Sequence, residues 1–247
     1  SQGGTYFIYG TGLGGLITQE LGVNASGEVT GGPVQNSTLI ETGDHIMGLV
    51  TMGPAYEAWT GVSELAPGVE HRSLRALFPM YQTPFQVVTL ASSGIESVAD
   101  FDGKRVSVGP AGGTAATYWP RYFEILGVSP DISYSGANDA VSQVKDGLID
   151  AFAFAAGVPI AAFAQIAAEN DVRIFGFTEE QRGQILTQMP EMAAFDAPGG
   201  LYEGFPDESP TVAMWNFAIA SESMPESLAY EITKLVMENT ERMVQIH

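Results

Sequence analysis

Short apolar runs alternate with glycine turns along this chain. The runs "TYFIY" (5–9), "HIMGLVT" (45–51), "RVSV" (105–108) and "DAFAFA" (150–155) each lead into a glycine-bearing turn and then into a segment of helical composition. Such runs, bounded by glycine, predict buried strands. Their alternation with helical segments predicts an α/β protein with mainly parallel sheets. Near the C-terminus, "PESLAYEITKLVMENTERMV" (225–244) predicts one helix, because Leu228, Ile232, Leu235 and Val236 fall at i, i+4, i+7 and i+8. Ser223 and Glu226 are spaced for its capping box, with Pro225 tolerated in the first turn. The strand-like "TVAMWNFAIA" (211–220) returns just before this helix.

The pattern repeats. Gly32, Gly43 and Gly53 recur as Gly136, Gly147 and Gly157, each 104 positions on, and their flanks agree. "TGDHIMGLVTMGP" parallels "DGLIDAFAFAAGVP": each runs from a helix-ending glycine through a buried strand to a glycine turn and Pro54 or Pro159. Upstream, "TYFIYGTGLGG" parallels "KRVSVGPAGGT" as strand, glycine loop, helix. Two similar lobes of three such units each are therefore expected. Ligands of open parallel sheets bind at the carboxyl ends of strands, where helix N-termini offer unpaired N–H groups and about half a positive charge.

Composition limits the chemistry. The chain has 247 residues, a net charge of −19 from 10 basic and 29 acidic residues, and no cysteine. Phosphate backbones need clustered Lys and Arg, so nucleic acid is excluded as a partner, and so is an anionic membrane surface. Without cysteine there is no disulfide, thiolate catalysis or Cys-ligated zinc. No apolar run reaches the length of about 18 residues that spans a bilayer, and "SQGG" does not open a signal peptide.

Catalytic constellations are thin. Gly10, Gly12 and Gly15 spell G-x-G-x-x-G after an apolar run, and Glu28 lies near the spacing of a ribose-binding acid, so an NAD- or FAD-dependent oxidoreductase is one reading. Against it, "LITQELG" is short for the helix that must follow, and the loop "GPAGGT" of the other lobe shares the glycines but not the motif. His45, His71 and His247 have no metal-ligand spacing. Glu179-Glu180 and "PDES" (206–209) are neighbouring carboxylates that point apart, as on a solvated surface. Nothing here demands an enzyme, a cofactor or a metal.

Taken in order, "GGTYFIYGTGLGG", "TGGPVQN", "GDHIMGLVTMGPAYEAWTG", "SGIESVADFDGKRVSVGPAGGT" and "DGLIDAFAFAAGVP" resemble the TAXI-type solute receptors of TRAP transporters over nearly the whole chain. The resemblance implies an α/β protein of the type II periplasmic-binding-protein fold, with two α/β lobes and a ligand cleft between them. Residues 1–88 and 213–247 are expected in lobe 1 and residues 89–212 in lobe 2. It further implies a periplasmic receptor, its signal peptide removed, that closes on a small organic anion and delivers it to a TRAP membrane permease. The ligand implied is an amino acid such as glutamate or a dicarboxylate such as 2-oxoglutarate; the receptor is expected to be a monomer. A ligand-sensing module of the same fold is the other reading. Matching positions carry the site: Thr11, Gly12 and Gly14 in the first glycine turn; Asn36; Thr51, Met52 and Tyr56 after a strand; Tyr81 in a crossover; Gly112, Gly113 and Thr114 at a helix start; and Ala156, Gly157 and Pro159 in the matching loop. Pro120 is expected to kink or restart the helix after Thr114. Trp119 reads as wall or core, and Arg121 as a surface ion pair.

Overall fold

The computed structural model describes residues 2–246. The chain forms two units. One comprises Thr5–Tyr81 with the segment from Trp215 onward; the other comprises Gln2–Gly4 with Gln82–Met214. Two long strands carry the chain from one unit to the other, β2 (Leu74–Leu90) and β8 (Ser209–Ser221).

The first unit contains α1 (Thr5–Leu21), α2 (Pro33–Glu41), β1 (Met47–Thr51), α3 (Met52–Thr60), α8 (Glu226–Glu238) and α9 (Thr240–Ile246). β1 pairs antiparallel with β8, from Met47 opposite Ala220 to Thr51 opposite Asn216. The run expected as the first strand is helical. Its buried Tyr9, Leu13, Leu16 and Ile17 lie at i, i+4, i+7 and i+8, so the 3.6-residue period extends through "TYFIY", and packing along that face outweighs the β-propensity of Tyr, Phe and Ile. The glycines of G-x-G-x-x-G therefore sit inside a helix. Each costs up to about 1 kcal/mol there relative to alanine, and close packing offsets part of that cost. A Cβ on Gly12 would lie 2.5 Å from the Ile246 side chain, and one on Gly14 would lie 3.2 Å from the Ala25 and Ser26 backbone.

The C-terminal segment also departs from expectation. It forms two helices, α8 ending at the cap residue Asn239 and α9 beginning at Thr240. Pro225 occupies the N-cap of α8 without a side-chain bond, and Ser223 pairs with the Ser221 hydroxyl at 2.8 Å, so no capping box forms. His247 lies outside the described residues.

The second unit contains β3 (Arg105–Ser107), α4 (Thr114–Leu126), β4 (Asp131–Ser133), α5 (Ala137–Lys145), β5 (Ala151–Ala155), α6 (Ala161–Glu169), β6 (Val172–Phe175), α7 (Glu179–Gln188) and β7 (Ala193–Ala197). β3 pairs in parallel with β4 and with β5. The second half of β2 pairs antiparallel with β5 and β6, and β7 pairs antiparallel with β8. The sheet is thus more mixed than the alternation of strand and helix predicts, because the two crossing strands bring antiparallel edges.

The 104-residue repeat is realised in regular structure. α2 and β1 recur at that offset as α5 and β5, with Gly32 and Gly136 each at an N-cap. Gly43 and Gly147 take φ of 81° and 68°, a left-handed turn into the strand that glycine adopts at little cost.

In the second unit, α4 continues through Pro120 without restarting. Tyr118, Trp119, Tyr122 and Phe123 are buried on both sides of the proline, and that packing holds the helix across the backbone bond the ring removes. Trp119 is fully buried in the core, its indole N–H donating to the Phe154 carbonyl at 3.2 Å.

Arg105 and Asp150 tie the start of β3 to the start of β5. Asp150 accepts from the Arg105 guanidinium at 2.6 Å and from the Arg105 backbone N–H at 2.8 Å. The guanidinium hydrogen bond holds the Asp150 carboxyl below its ordinary range, against partial burial. A depressed carboxyl stabilises the fold above its unfolded pKa of about 3.9 and loses that contribution as pH falls through the folded value. Asp150→Asn is expected to cost about 1 kcal/mol at pH 7, with the gap to the parent closing below about pH 3. Urea unfolding of the pair at pH 7 and pH 3 checks this; a gap that widens in acid contradicts it.

Candidate functional site

In the second unit, the chain turns at the carboxyl end of β3 through Gly109, whose φ is 79°, and enters α4. A Cβ at Gly109 would sit 2.9 Å from the Phe154 ring, so only glycine lets the turn lie this close to β5. Gly113 is the N-cap, bonded through its own N–H to the Pro110 carbonyl at 2.8 Å, and no side chain caps the helix. Gly112 precedes it in the turn, and Thr114 is buried at the first helical position. The first-turn N–H groups of α4 are thus directed away from the helix at the end of β3. Beside this turn, the Ser107 and Ser135 hydroxyls meet at 2.9 Å.

The loop after β5 is fixed by hydrogen bonds. Ala156 donates its N–H to the Pro84 carbonyl at 3.3 Å, and Val158–Pro159 is a cis peptide. The Ile160 N–H donates to the Tyr202 hydroxyl at 3.0 Å, and that hydroxyl donates to Gln86 Oε1 at 2.8 Å. Burial holds the Tyr202 phenol well above its ordinary pKa, so it stays a neutral donor. Ala156 and Gly157 are buried and Pro159 is exposed. Arg121 lies over the Tyr118 ring at 4.8 Å, a cation–π contact.

In the first unit, α1 and α3 begin beside one another. The Tyr6 hydroxyl lies 2.9 Å from the Thr51 hydroxyl and donates to Asn216 Oδ1 at 2.6 Å, while Asn216 Nδ2 donates to the Tyr81 carbonyl at 2.7 Å. The Tyr6, Tyr9 and Tyr81 rings pack together, and burial raises the pKa of all three, Tyr9 to about 12. Thr51 is the N-cap of α3 without a side-chain cap bond, and Met52 and Tyr56 are exposed on its first turns. Thr51 and Tyr81 are therefore brought together, through Tyr6 and Asn216.

Four predicted positions sit elsewhere. Thr11, Gly12 and Gly14 lie within α1 rather than in a strand-end turn. Asn36 is in α2, where its Nδ2 donates to the Leu49 carbonyl at 2.7 Å and its Oδ1 accepts from Thr30 at 2.6 Å, a clamp between backbone segments. The sequence reading passed over Tyr6, Asn216, Tyr202 and Gln86. It also passed over the signal that locates the start of α1: the triplet Gly-Gly-Thr occurs at 3–5 and at 112–114, and each threonine opens a helix.

The first unit also holds an apolar cleft of about 330 Å³. Leu13, Ile17, Leu49, Leu228 and Ile232 line it, together with Glu28 and His45, whose side chains meet at 2.9 Å. A carboxylate beside apolar walls makes this a poor place for an anion. Among the described residues, no cluster of three His, Asp or Glu side chains is placed to hold a metal, and no helix is long and apolar enough to cross a membrane.

A model of the NMT1-like family matches residues 1–247. Three solved structures are similar over 100% of this chain. A periplasmic transporter is 14% identical with 83% of its own chain covered and a TM-score of 0.69. The periplasmic binding protein BugD is 14% identical with 84% covered and a TM-score of 0.65. MatC from Rhodopseudomonas palustris, solved with bound malate, is 15% identical with 84% covered and a TM-score of 0.65. At these identities the likeness establishes the fold, that of periplasmic binding proteins.

Proposed function

Because the chain belongs to the NMT1-like family, we propose that it is an extracytoplasmic solute receptor that binds a small organic anion and delivers it to a TRAP-type membrane transporter. It works by binding alone, not by catalysis. The ligand is an amino acid such as glutamate or a dicarboxylate such as 2-oxoglutarate. A protein of the same fold solved with bound malate supports this class.

The observation that carries the reading is the start of α4. Its N-cap is Gly113, which has no side chain with which to bond the first-turn N–H groups, and it stands at the carboxyl end of β3 with Thr114 as the first helical residue. A net charge of −19 repels anions at long range, so attraction has to come from local donors. A helix terminus supplies about 0.3–1 kcal/mol when exposed and up to about 2 kcal/mol when partly buried. Charge-assisted hydrogen bonds from backbone N–H groups and the Thr114 hydroxyl add to that. The loop Ala156–Pro159, anchored by Tyr202, stands at the end of the neighbouring strand β5 and is the second contact we assign in this unit. In the first unit, Thr51 at the start of α3, with Met52, Tyr56 and Tyr81, offers the same kind of chemistry.

The dinucleotide alternative has lost its premise. A glycine motif inside α1 has its N–H groups committed to helix bonds and cannot cradle a pyrophosphate.

A thermal-shift screen over organic acids tests the proposal. A ligand at about 100 times its dissociation constant adds about 2.7 kcal/mol to the native state, which for this length is roughly 5–10 °C. A rise of that size with glutamate, 2-oxoglutarate or malate is the expected result; no rise with any small carboxylate overturns it.

A further inference from the structure

Gln86 interrupts the apolar run "PFQVV" (84–88) within β2. It is 2% exposed, between Phe85 and Val87, which are fully buried. A buried amide costs free energy unless its polar atoms are paired. The oxygen has its partner. The Ile160 N–H occupies a lone pair of the Tyr202 hydroxyl at 3.0 Å, so the hydroxyl proton turns to Gln86 Oε1 at 2.8 Å. That bond settles which end of the amide is which: Oε1 faces Tyr202, and the two N–H bonds of Nε2 face away from it. Nε2 has no hydrogen-bond partner among the described residues, and it keeps a small opening to solvent.

The amide stands where the second unit's two assigned ligand contacts come together. Gln86 pairs with Phe154 of β5, one position in from the end of their ladder, so the two side chains share a face of the sheet. Phe154 supports the turn before α4, since its ring lies 2.9 Å from the place a Cβ on Gly109 would take. Tyr202 holds Ile160, the N-cap of α6, at the end of the loop that follows β5. Gln86 is thus joined to the Gly109–Gly113 turn through Phe154 and to the Ala156–Pro159 loop through Tyr202.

We infer that Gln86 is a ligand-binding residue of the second unit, its Nε2 donating to an oxygen of the anion held by the start of α4 and the Ala156–Pro159 loop. The inference rests on the receptor reading above and deepens it. The group taken up here is a hydrogen-bond acceptor, a carboxylate or keto oxygen. With Oε1 engaged by Tyr202, the amide offers only N–H bonds, and a ligand ammonium group would find no acceptor in it. Tyr202 acts through Gln86 as a positioning residue, holding the amide in its donating orientation.

Isothermal titration with glutamate, 2-oxoglutarate and malate compares the unmodified chain with Gln86→Met, Gln86→Glu and Tyr202→Phe. Gln86→Met keeps the length of the side chain and removes both N–H bonds, and it is expected to weaken the acid's binding by at least about tenfold. Gln86→Glu keeps an oxygen for the Tyr202 proton but sets a carboxylate against the anion, and it is expected to weaken binding at least as much. Tyr202→Phe is expected to have a smaller effect, because the amide can still turn its N–H bonds to the ligand. A second readout needs no substitution: in the unmodified chain, the Gln86 side-chain amide protons are expected to move downfield in the NMR spectrum as the acid saturates the site. An acid that binds without moving them, or that binds Gln86→Met with unchanged affinity, overturns the inference and leaves the receptor reading standing. An unmodified chain that binds none of the three acids overturns both.

Discussion

Trp119→Ala is expected to destabilise the protein by about 3–5 kcal/mol, the largest effect of any single substitution considered. Its ring is fully buried and packs against Phe123 at 5.5 Å, Phe177 at 5.2 Å, Tyr122 at 5.7 Å and Phe85 at 6.0 Å between centroids. Truncation removes the transfer free energy of the largest side chain in that cluster. It also leaves a cavity that a β-sheet and a helix on either side cannot collapse to fill. The Phe154 carbonyl loses its indole donor as well, which adds a desolvated acceptor. Urea denaturation measures the effect as a lower midpoint at unchanged slope. Trp119→Phe keeps most of the packing and is expected to cost less than half as much. A loss below about 1 kcal/mol for the alanine variant would mean that this ring is not the centre of the second unit's core.

Thr114→Val is expected to weaken ligand binding by about 1.5–3 kcal/mol, a factor of roughly 10–150 in dissociation constant. The substitution keeps the shape of the side chain and removes only the hydroxyl that stands at the start of α4. Arg121→Gln is expected to change binding much less, because its guanidinium is engaged over the Tyr118 ring. The unfolding midpoint of each variant without ligand separates a binding effect from a packing one. If Arg121→Gln abolishes binding while Thr114→Val leaves it intact, the anion is held by an ion pair and the assignment to helix N–H groups fails.

Much of the fold was legible because the sequence states it twice. The glycines at 32 and 43 and at 136 and 147 mark the same helix start and the same left-handed turn, and the α2–β1 and α5–β5 segments follow at one offset. The start of the chain was misread for a physical reason. In "TYFIYGTGLGG" the residues with strand propensity come first and the glycines follow, which imitates a strand and a turn. The helical period of Tyr9, Leu13, Leu16 and Ile17 overrides that propensity, and the glycines serve the close approach of α9 and of residues 25–26. Asn36 was expected among the site positions, and tertiary structure engages it in holding Leu49 and Thr30. The polar cluster of the first unit could be anticipated only in part. Thr51 ends a recognisable strand and Tyr81 was expected in a crossover, whereas Asn216 reaches Tyr6 across 210 positions, a pairing that no local pattern encodes.

Isothermal titration of the unmodified protein with 2-oxoglutarate, glutamate and malate, and separately with NAD, tests the central claim most directly. The account predicts one site per chain, micromolar or tighter, for at least one of the three acids, and no measurable heat with NAD. Binding of NAD at micromolar concentration, with none of the acids bound, would contradict it.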